Sequence, residues 1–355
     1  MHSRLVISLC CLFFLFVLSG CDCSEDGNSA FGPECSDEIV VAGTTESTEL
    51  GEEETATIGS GNLIFSDVGS AAIRVIESFA TAEGETATLL PLSGSNTRLT
   101  RPQNISVHPT TQGLIVPDEG QSAIYFFDNS SDLSGNQFPS RTLQGTATEM
   151  IAPVHAVVDS ATDELYVLDR GSNRILVFLD ASTIDGELVP DRIIGGTNAA
   201  FQNPAALLLL PSTNRLVVIS PSEIFTFENM DTLSGDPTPI GRVSGSATTF
   251  QNLIYGRLTS EGTFILADSG SSSILFFENF QFDQNNQAPT RTLSGSNTGI
   301  QRAGQFVLSS GELYLANGTN ILVFDDLGSI EGNPFPVRRI EPTNPAATTV
   351  RGLAI

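Results

Sequence analysis

The sequence has no lysine: all 16 basic residues are arginine, set against 41 aspartates and glutamates. A net charge of −25 repels nucleic acid and anionic lipid, which argues against both as partners. Cysteine is almost as scarce. There are five, at positions 10, 11, 21, 23 and 35, so no catalytic thiol or Cys-based metal site lies beyond residue 35. Helical periodicity is hard to find, and past residue 20 no apolar run is long enough to span a bilayer. What is abundant is β-forming sequence cut by turn residues, with 32 Gly and 18 Pro. The body of the chain is therefore expected to be soluble and all-β.

The first 60 residues differ from the rest. Arg4 precedes an apolar run over residues 5–18, followed by Ser19, Gly20 and Cys21. A charged start, a short apolar stretch and small residues before a cleavage point make residues 1–20 a secretory signal rather than a span. Leu18-Ser19-Gly20-Cys21 resembles the lipobox of bacterial lipoproteins. That resemblance implies cleavage before Cys21 and diacylation of its sulfur, and two or three acyl chains anchor stably where one would not. In enteric bacteria an Asp after the lipidated Cys, here Asp22, holds lipoproteins in the inner membrane. Other phyla do not follow that rule, so both membranes stay open. Cys23 and Cys35 would share an oxidising compartment and could close a small disulfide loop. Eleven acids and no arginine fall between Asp22 and Glu54, so residues 21–60 read as an acidic, flexible tether.

A repeat then takes over. LYVLDRGSNRILVF at residues 165–178 is echoed by LIVPDEGQSAIYFF at 114–127 and FILADSGSSSILFF at 264–277. The first apolar residue after each turn falls at Ile73, Ile124, Ile175, Ile224, Ile274 and Ile321, at spacings of 51, 51, 49, 50 and 47. A fixed period of this size marks a repeat architecture. Each unit carries four strand-like pieces, and six such units suit a β-propeller, which removes long exposed edges by radial repetition. The first unit lacks an innermost strand, and the chain stops after one further such strand, at residues 352–355. Six blades close if that C-terminal strand pairs with the N-terminal ones.

Asp169-Arg-Gly-Ser-Asn173-Arg174-Ile175, followed by Val177-Phe178, resembles the NHL-repeat signature. The other copies keep Asp-x-Gly and Ile-x-x-Phe but lose Asn and Arg, while Asp becomes Ser220 in the fourth and Asn317 in the sixth. The resemblance covers residues 61–355 and implies a six-bladed NHL- or TolB-like propeller, a fold without a fixed function.

Three columns follow the repeat and so point to architecture. Asp67, Asp118, Asp169 and Asp268 are expected to accept hydrogen bonds from their own turns. The Gly-Ser/Thr-x-Thr links at 94–97, 145–148, 245–248 and 295–298 are expected to close local turns. Arg141, Arg192, Arg291 and Arg338 are expected to pair with Asp128, Asp180, Glu278 and Asp325. Positions where the repeats differ carry more functional information. Counting two residues from the Pro column, the innermost strands offer Asn104, His155, Ala206, Ile254, Gln305 and Arg351. Two further on stand Ser106, Val157, Leu208, Gly256, Val307 and Leu353. Alternation should turn both layers toward the channel, the upper polar and the lower apolar.

The candidate ligand-binding residues are therefore Asn104, His155, Gln305 and Arg351, at a channel mouth. Six-bladed lactonases and related hydrolases hold a divalent cation there with Glu, Asp and Asn, and only Asn104 would qualify. His108 and His155 lack a partner at ligand spacing, and Asp128-Asn-Ser-Ser-Asp132 is a weak calcium-loop pattern. No catalytic residue, metal site or cofactor is assigned. The expected function is a monomeric, lipid-anchored, non-enzymatic binding platform in the bacterial envelope. Its partner would be an envelope protein or a small polar or anionic ligand. The alternatives are an envelope hydrolase of the lactonase type and a scaffold acting through its acidic flank loops.

Overall fold

A computed structural model describes residues 61–128 and 132–355. Among them six sheets are arranged as the blades of a β-propeller. Blade three shows the pattern from the axis outward: Pro153–Asp159, Glu164–Asp169, Arg174–Phe178 and Arg192–Ile194, each antiparallel to the next. The second and third strands of most blades are apolar on both faces because each blade is sandwiched between two others. Leu165, Tyr166, Val167 and Leu168 are all fully buried, and such strands read as continuous apolar runs.

The ring closes as expected. Val350–Ala354 is the innermost strand of blade one and pairs with Asn62–Asp67, which pairs with Ala72–Glu77. The Asp67 carboxylate fastens this seam, accepting from the backbone N–H groups of Thr348 (3.2 Å) and Thr349 (2.8 Å) and from the Thr348 hydroxyl. It also meets the buried Arg74 guanidinium at 2.7 Å, and Arg74 donates to the carbonyl of Pro345 on the returning strand's approach. Burial pulls the Asp67 carboxyl up, but the hydrogen bonds from Thr348, Ser70 and Thr349 more than offset this and hold it below the usual carboxylate range.

Blade one departs from the four-strand pattern at its outer edge. Only a bridge between Ile73 and Leu92 remains there, while Gly84–Ala87 crosses over to lie parallel to Arg338–Thr343 of blade six. That crossing is an extended form of a link found at other junctions. The outer strand of one blade bridges in parallel to a glycine ahead of the next blade's outer strand, as in Leu143 to Gly186 and Ile194 to Gly235. Gly186 and Gly235 have φ of 93° and 76°, a region glycine enters without steric cost.

The arginine column ties the rim together, with one correction to the expected partners. Arg141 pairs with Asp128 (2.7 Å) and Arg291 with Glu278 (3.3 Å), as the sequence suggests. Arg192 and Arg338 instead pair with Glu164 and Glu312, both at 2.6 Å, and not with Asp180 and Asp325. The reason lies two residues on. Tyr166 and Tyr314 hydrogen-bond the same glutamates and the same arginines, holding each trio on one sheet face. Blades two and five have Gly113 and Thr263 in place of those glutamates, so their arginines reach to the other side while stacking on Phe126 and Phe276 at 4.4 and 4.5 Å.

All four arginines also donate from Nη1 to two carbonyls of the following blade. Arg141 reaches Ala181 and Ile184, Arg192 reaches Met230 and Leu233, and Arg291 reaches Leu327 and Ile330. Arg338 completes the set at Phe79 and Ala82, across the closing junction. In blade four Gly241 stands in this column. A Cβ there would lie 1.9 Å from the Phe282 carbonyl oxygen, and Thr226 donates to that carbonyl instead, at 3.1 Å.

The aspartate column does what is expected and something more. Asp169 accepts from Ser172 in its own turn, but also from Ile151 and Ala152 at the entry to the innermost strand, at 3.0 and 2.6 Å. Asp118 and Asp268 repeat this. Asn317 needs only its carbonyl oxygen to accept from Gln301 and Arg302, which is why the column tolerates Asn. The Gly-Ser/Thr-x-Thr links close their own turns, with Thr97, Thr148, Thr248 and Thr298 each donating to the glycine carbonyl three residues back.

Candidate functional site

The innermost strands do not all keep the register that the proline column implies. Pro102, Pro153 and Ala303 lie opposite Asp118, Asp169 and Asn317, but in blades five and one the residues opposite the column are Leu253 and Val350. The upper layer therefore contains Tyr255 rather than Ile254, and Gly352 rather than Arg351. Both blades lack the proline that anchors the count, so counting places each one residue early. A slip of one residue moves a side chain to the other side of a strand. The hairpin aspartate, present in both, is the safer anchor.

Three of the four candidate residues thus share one layer. Asn104, His155 and Gln305 are all buried, and each is spent on the free backbone edge of another blade's innermost strand. Asn104 Nδ2 donates to the Ala205 carbonyl at 3.2 Å. His155 Nδ1 accepts from Leu207 N–H at 3.1 Å. Gln305 donates from Nε2 to the Ile105 carbonyl at 3.0 Å and accepts at Oε1 from Leu353 N–H at 3.1 Å. Ser66 and Ser106 add bonds to the Gln103 and Ala156 carbonyls. Innermost strands have unpaired groups facing the axis, and buried backbone groups require partners. These side chains supply them. The layer is a set of cross-braces, in which Asn104 Oδ1 keeps no partner among the described residues and His155 and Gln305 also border the channel cavity below.

Burial pushes the His155 imidazole down to about 4, so it is neutral at physiological pH. Its ring lies 5.8 Å from that of Tyr255, edge to face. His108 is likewise structural: Nδ1 accepts from Thr110 and Thr111, and Nε2 lies 3.2 Å from Asp163.

Arg351 stands apart from the other three, one step above them at the face that carries the hairpin turns. It lines a concave site of about 320 Å³ with Arg302, Asn252, Ser269, Ile254 and Gly304. Gly304 is closely packed there, since a Cβ would lie 3.0 Å from Ala316 Cβ and 3.2 Å from the Arg351 carbonyl oxygen. Among the described residues neither Arg351 nor Arg302 has a side-chain hydrogen bond or ion pair, and Arg351 Nε is buried without a partner. Burial lowers the Arg351 guanidinium to about 10, helped by the charges of Arg170 and Arg302 and opposed by Glu119. Glu119 is itself occupied by Arg101 at 3.2 Å, Arg170 at 2.6 Å and Gln103 at 3.1 Å.

Below the braces the channel opens to the other face as a cavity of about 90 Å³, lined by His155 and Gln305 of the brace layer and by Val157, Tyr255, Arg257 and Val307 among others. Arg257 occupies the place that the slipped count gives to Gly256, so this layer is not uniformly apolar.

Among the described residues no group of three or more His, Cys, Asp or Glu side chains is placed to hold a metal ion. Cys21, Cys23, Cys35, the signal and the tether lie outside the described residues, as do 129–131 of the Asp128–Asp132 loop. No described helix is long and apolar enough to cross a membrane.

No protein-family model matches the chain, and no curated protein matches it in sequence. Solved structures do. The chain is similar to one in the crystal structure of a nidogen/laminin complex, with a TM-score of 0.57 and 14% identity over 82% of this chain and 97% of that one. It is also similar to a protein of unknown function from Bacteroides caccae, with a TM-score of 0.55 and 11% identity over the same shares. The fold is that of a six-bladed β-propeller. At such identities the likeness extends to the fold alone.

Proposed function

We propose that the protein is a lipid-anchored, non-enzymatic binding module of the bacterial envelope. Its NHL-like propeller is held out from the membrane by an acidic tether attached at Cys21. The platform reading rests on one observation, the turn-bearing face of the axis. There the closed, cross-braced ring presents a concave site with two arginines unpaired among the described residues, whereas the rim arginines are all paired within the fold. Convergent polar groups in a concavity are what a binding site requires. The likeness to a chain from a nidogen/laminin complex fits a fold used for association. Anchoring is supported by the lipobox-like Leu18-Ser19-Gly20-Cys21 and by the charge of Asp22–Glu54, which repels anionic headgroups and keeps the body off the bilayer.

The test is capture from native envelope extract by the immobilised propeller, comparing wild type with Arg351→Gln. Retention of a discrete component by wild type, lost in the variant, supports the platform. Equal retention by both, with loss only when residues 128–132 are altered, would move the site to the flank loops. Cys21→Ala should release or stall the protein and abolish acyl labelling. Unchanged membrane attachment in that variant overturns the anchor.

A further inference from the structure

We infer that the concave site around Arg351 and Arg302 is an anion site, seating a carboxylate or phosphate group of the bound ligand between the two guanidinium groups. The inference deepens the binding-platform reading and rests on its placement of the site.

The chain has more than twice as many acids as arginines, yet among the described residues Arg302 and Arg351 have no acid as partner. Arg351 lies within electrostatic reach of Arg170, Arg302 and Glu119, and the Glu119 carboxylate is already shared between Arg101 and Arg170. Two further carboxylates close to the site are buried: Asp67, held by Thr348, Thr349 and Arg74, and Asp268. Asp268 is saturated by backbone N–H groups of Gln251, Asn252, Gly270 and Ser271, so its oxygens are already spent. Like charges brought together and partly desolvated are unfavourable unless an anion joins them.

The remaining walls suit an oxyanion. Asn252 donates to Ser269 Oγ at 2.7 Å and that hydroxyl donates to the Asn252 backbone carbonyl at 3.2 Å, a bond that a rotation of the hydroxyl would exchange for one to a bound oxyanion. A guanidinium presents its donors in a planar fork that matches two oxygens of a carboxylate or phosphate. The protein's overall negative charge does not forbid this. At physiological ionic strength a surface charge is screened over about 8 Å, so the arginines in contact decide.

The experiment measures thermal stabilisation and calorimetric binding of the full propeller with sodium phosphate and sodium acetate as probes, at constant ionic strength set with chloride. Wild type should be stabilised saturably by at least one probe. Arg351→Gln and Arg302→Gln should each weaken that binding by at least about tenfold, the scale of one charge-assisted hydrogen bond. Arg98→Gln, an exposed arginine away from the site, should leave it unchanged. Preference for phosphate over acetate assigns a phosphoryl-bearing ligand, and the reverse a carboxylate. No saturable binding of either probe overturns the inference, as does binding that survives both mouth substitutions. If the probes bind through Arg351 while extract capture ignores it, the anion site stands and the platform reading falls. If capture depends on Arg351 but neither probe binds, the platform stands and the anion site falls.

Discussion

The rim and the mouth use the same residue type in opposite ways. On the rim, Arg338 makes two contacts with Glu312 (2.7 and 2.6 Å), one with the Tyr314 hydroxyl and two with carbonyls of blade one. Arg141, Arg192 and Arg291 are similarly engaged. At the mouth, Arg302 and Arg351 have no such partner among the described residues. The rim arginines recur with the repeat, and each solves the same problem of pinning one blade's outer edge to the next. The mouth arginines follow no such column: the counterparts of Arg351 include Ile254 and Gly304, and Arg302 is matched by Arg101 in blade two but by Ala152 and Asn252 in blades three and five. Stability explains the first set and not the second.

The largest effect should come from breaking the seam on which the rim depends. Deleting residues 352–355 removes Leu353 and Ala354, both buried, and uncovers Ile64 and Phe65. Losing that ladder and its apolar burial should cost more than about 5 kcal/mol, a large part of a domain's whole stability. Aggregation, or loss of the cooperative melt, is the expected outcome. A truncated chain that melts like wild type would show that blade one does not need its inner strand.

Next comes the rim arginine at that seam. Arg338→Ala leaves Glu312 and the Phe79 and Ala82 carbonyls without their donor. A cost of about 3 kcal/mol is expected, toward the lower end for breaking a buried pair because Glu312 is partly exposed. Denaturant midpoints at unchanged m-value would measure it. A cost under about 1 kcal/mol would reduce the rim arginines to ordinary surface pairs.

A comparable change should follow from pH alone, through the brace layer between rim and mouth. His155 titrates near 4 when folded and near 6.5 when unfolded. Between those values the unfolded chain binds more protons, so the stabilisation is fully present above about pH 6.5 and is lost as pH falls toward 4. The difference amounts to about 3 kcal/mol. Protonation would also remove the acceptor that holds Leu207 N–H. Gln305 already plays this part in blade six through Oε1, so His155→Gln should keep the brace and flatten the slope. Stability measured from pH 7.5 to 4 in both proteins decides it; parallel slopes would mean that His155 is not the group responsible.

The fold is readable because its information is periodic. Ile-anchored spacing near 50 residues, the Asp-x-Gly turns and the incomplete terminal units point to blade number and to closure. The braces are not readable in the same way. Asn104 meets Ala205 and Gln305 meets Ile105, contacts between blades that are not sequence neighbours, so the same polar residues look like a binding mouth. The error at Arg351 is narrower. Its blade has Val350 where blades two, three and four have Pro, and the count slips by one residue. The rim partners fail for a local reason, since Tyr166 and Tyr314 select Glu164 and Glu312 over the acids expected from the loops.

The smallest effect on stability, and the sharpest contrast with Arg338, should be seen at Arg351. Arg351→Met keeps most of the apolar stem and removes the guanidinium. In the folded protein that guanidinium is partly desolvated, has an unpaired buried Nε and sits near two other cations, so the neutral side chain relieves a cost while forfeiting no hydrogen bond. Against this, some stem packing is lost. The net change should lie between zero and a stabilisation of about 1 kcal/mol, with the melt as cooperative as wild type. Residues kept at the expense of stability are characteristic of binding sites, where substitution raises stability and removes function. If Arg351→Met instead destabilises by as much as Arg338→Ala, the mouth arginine belongs to the architecture after all, and the division between rim and mouth collapses.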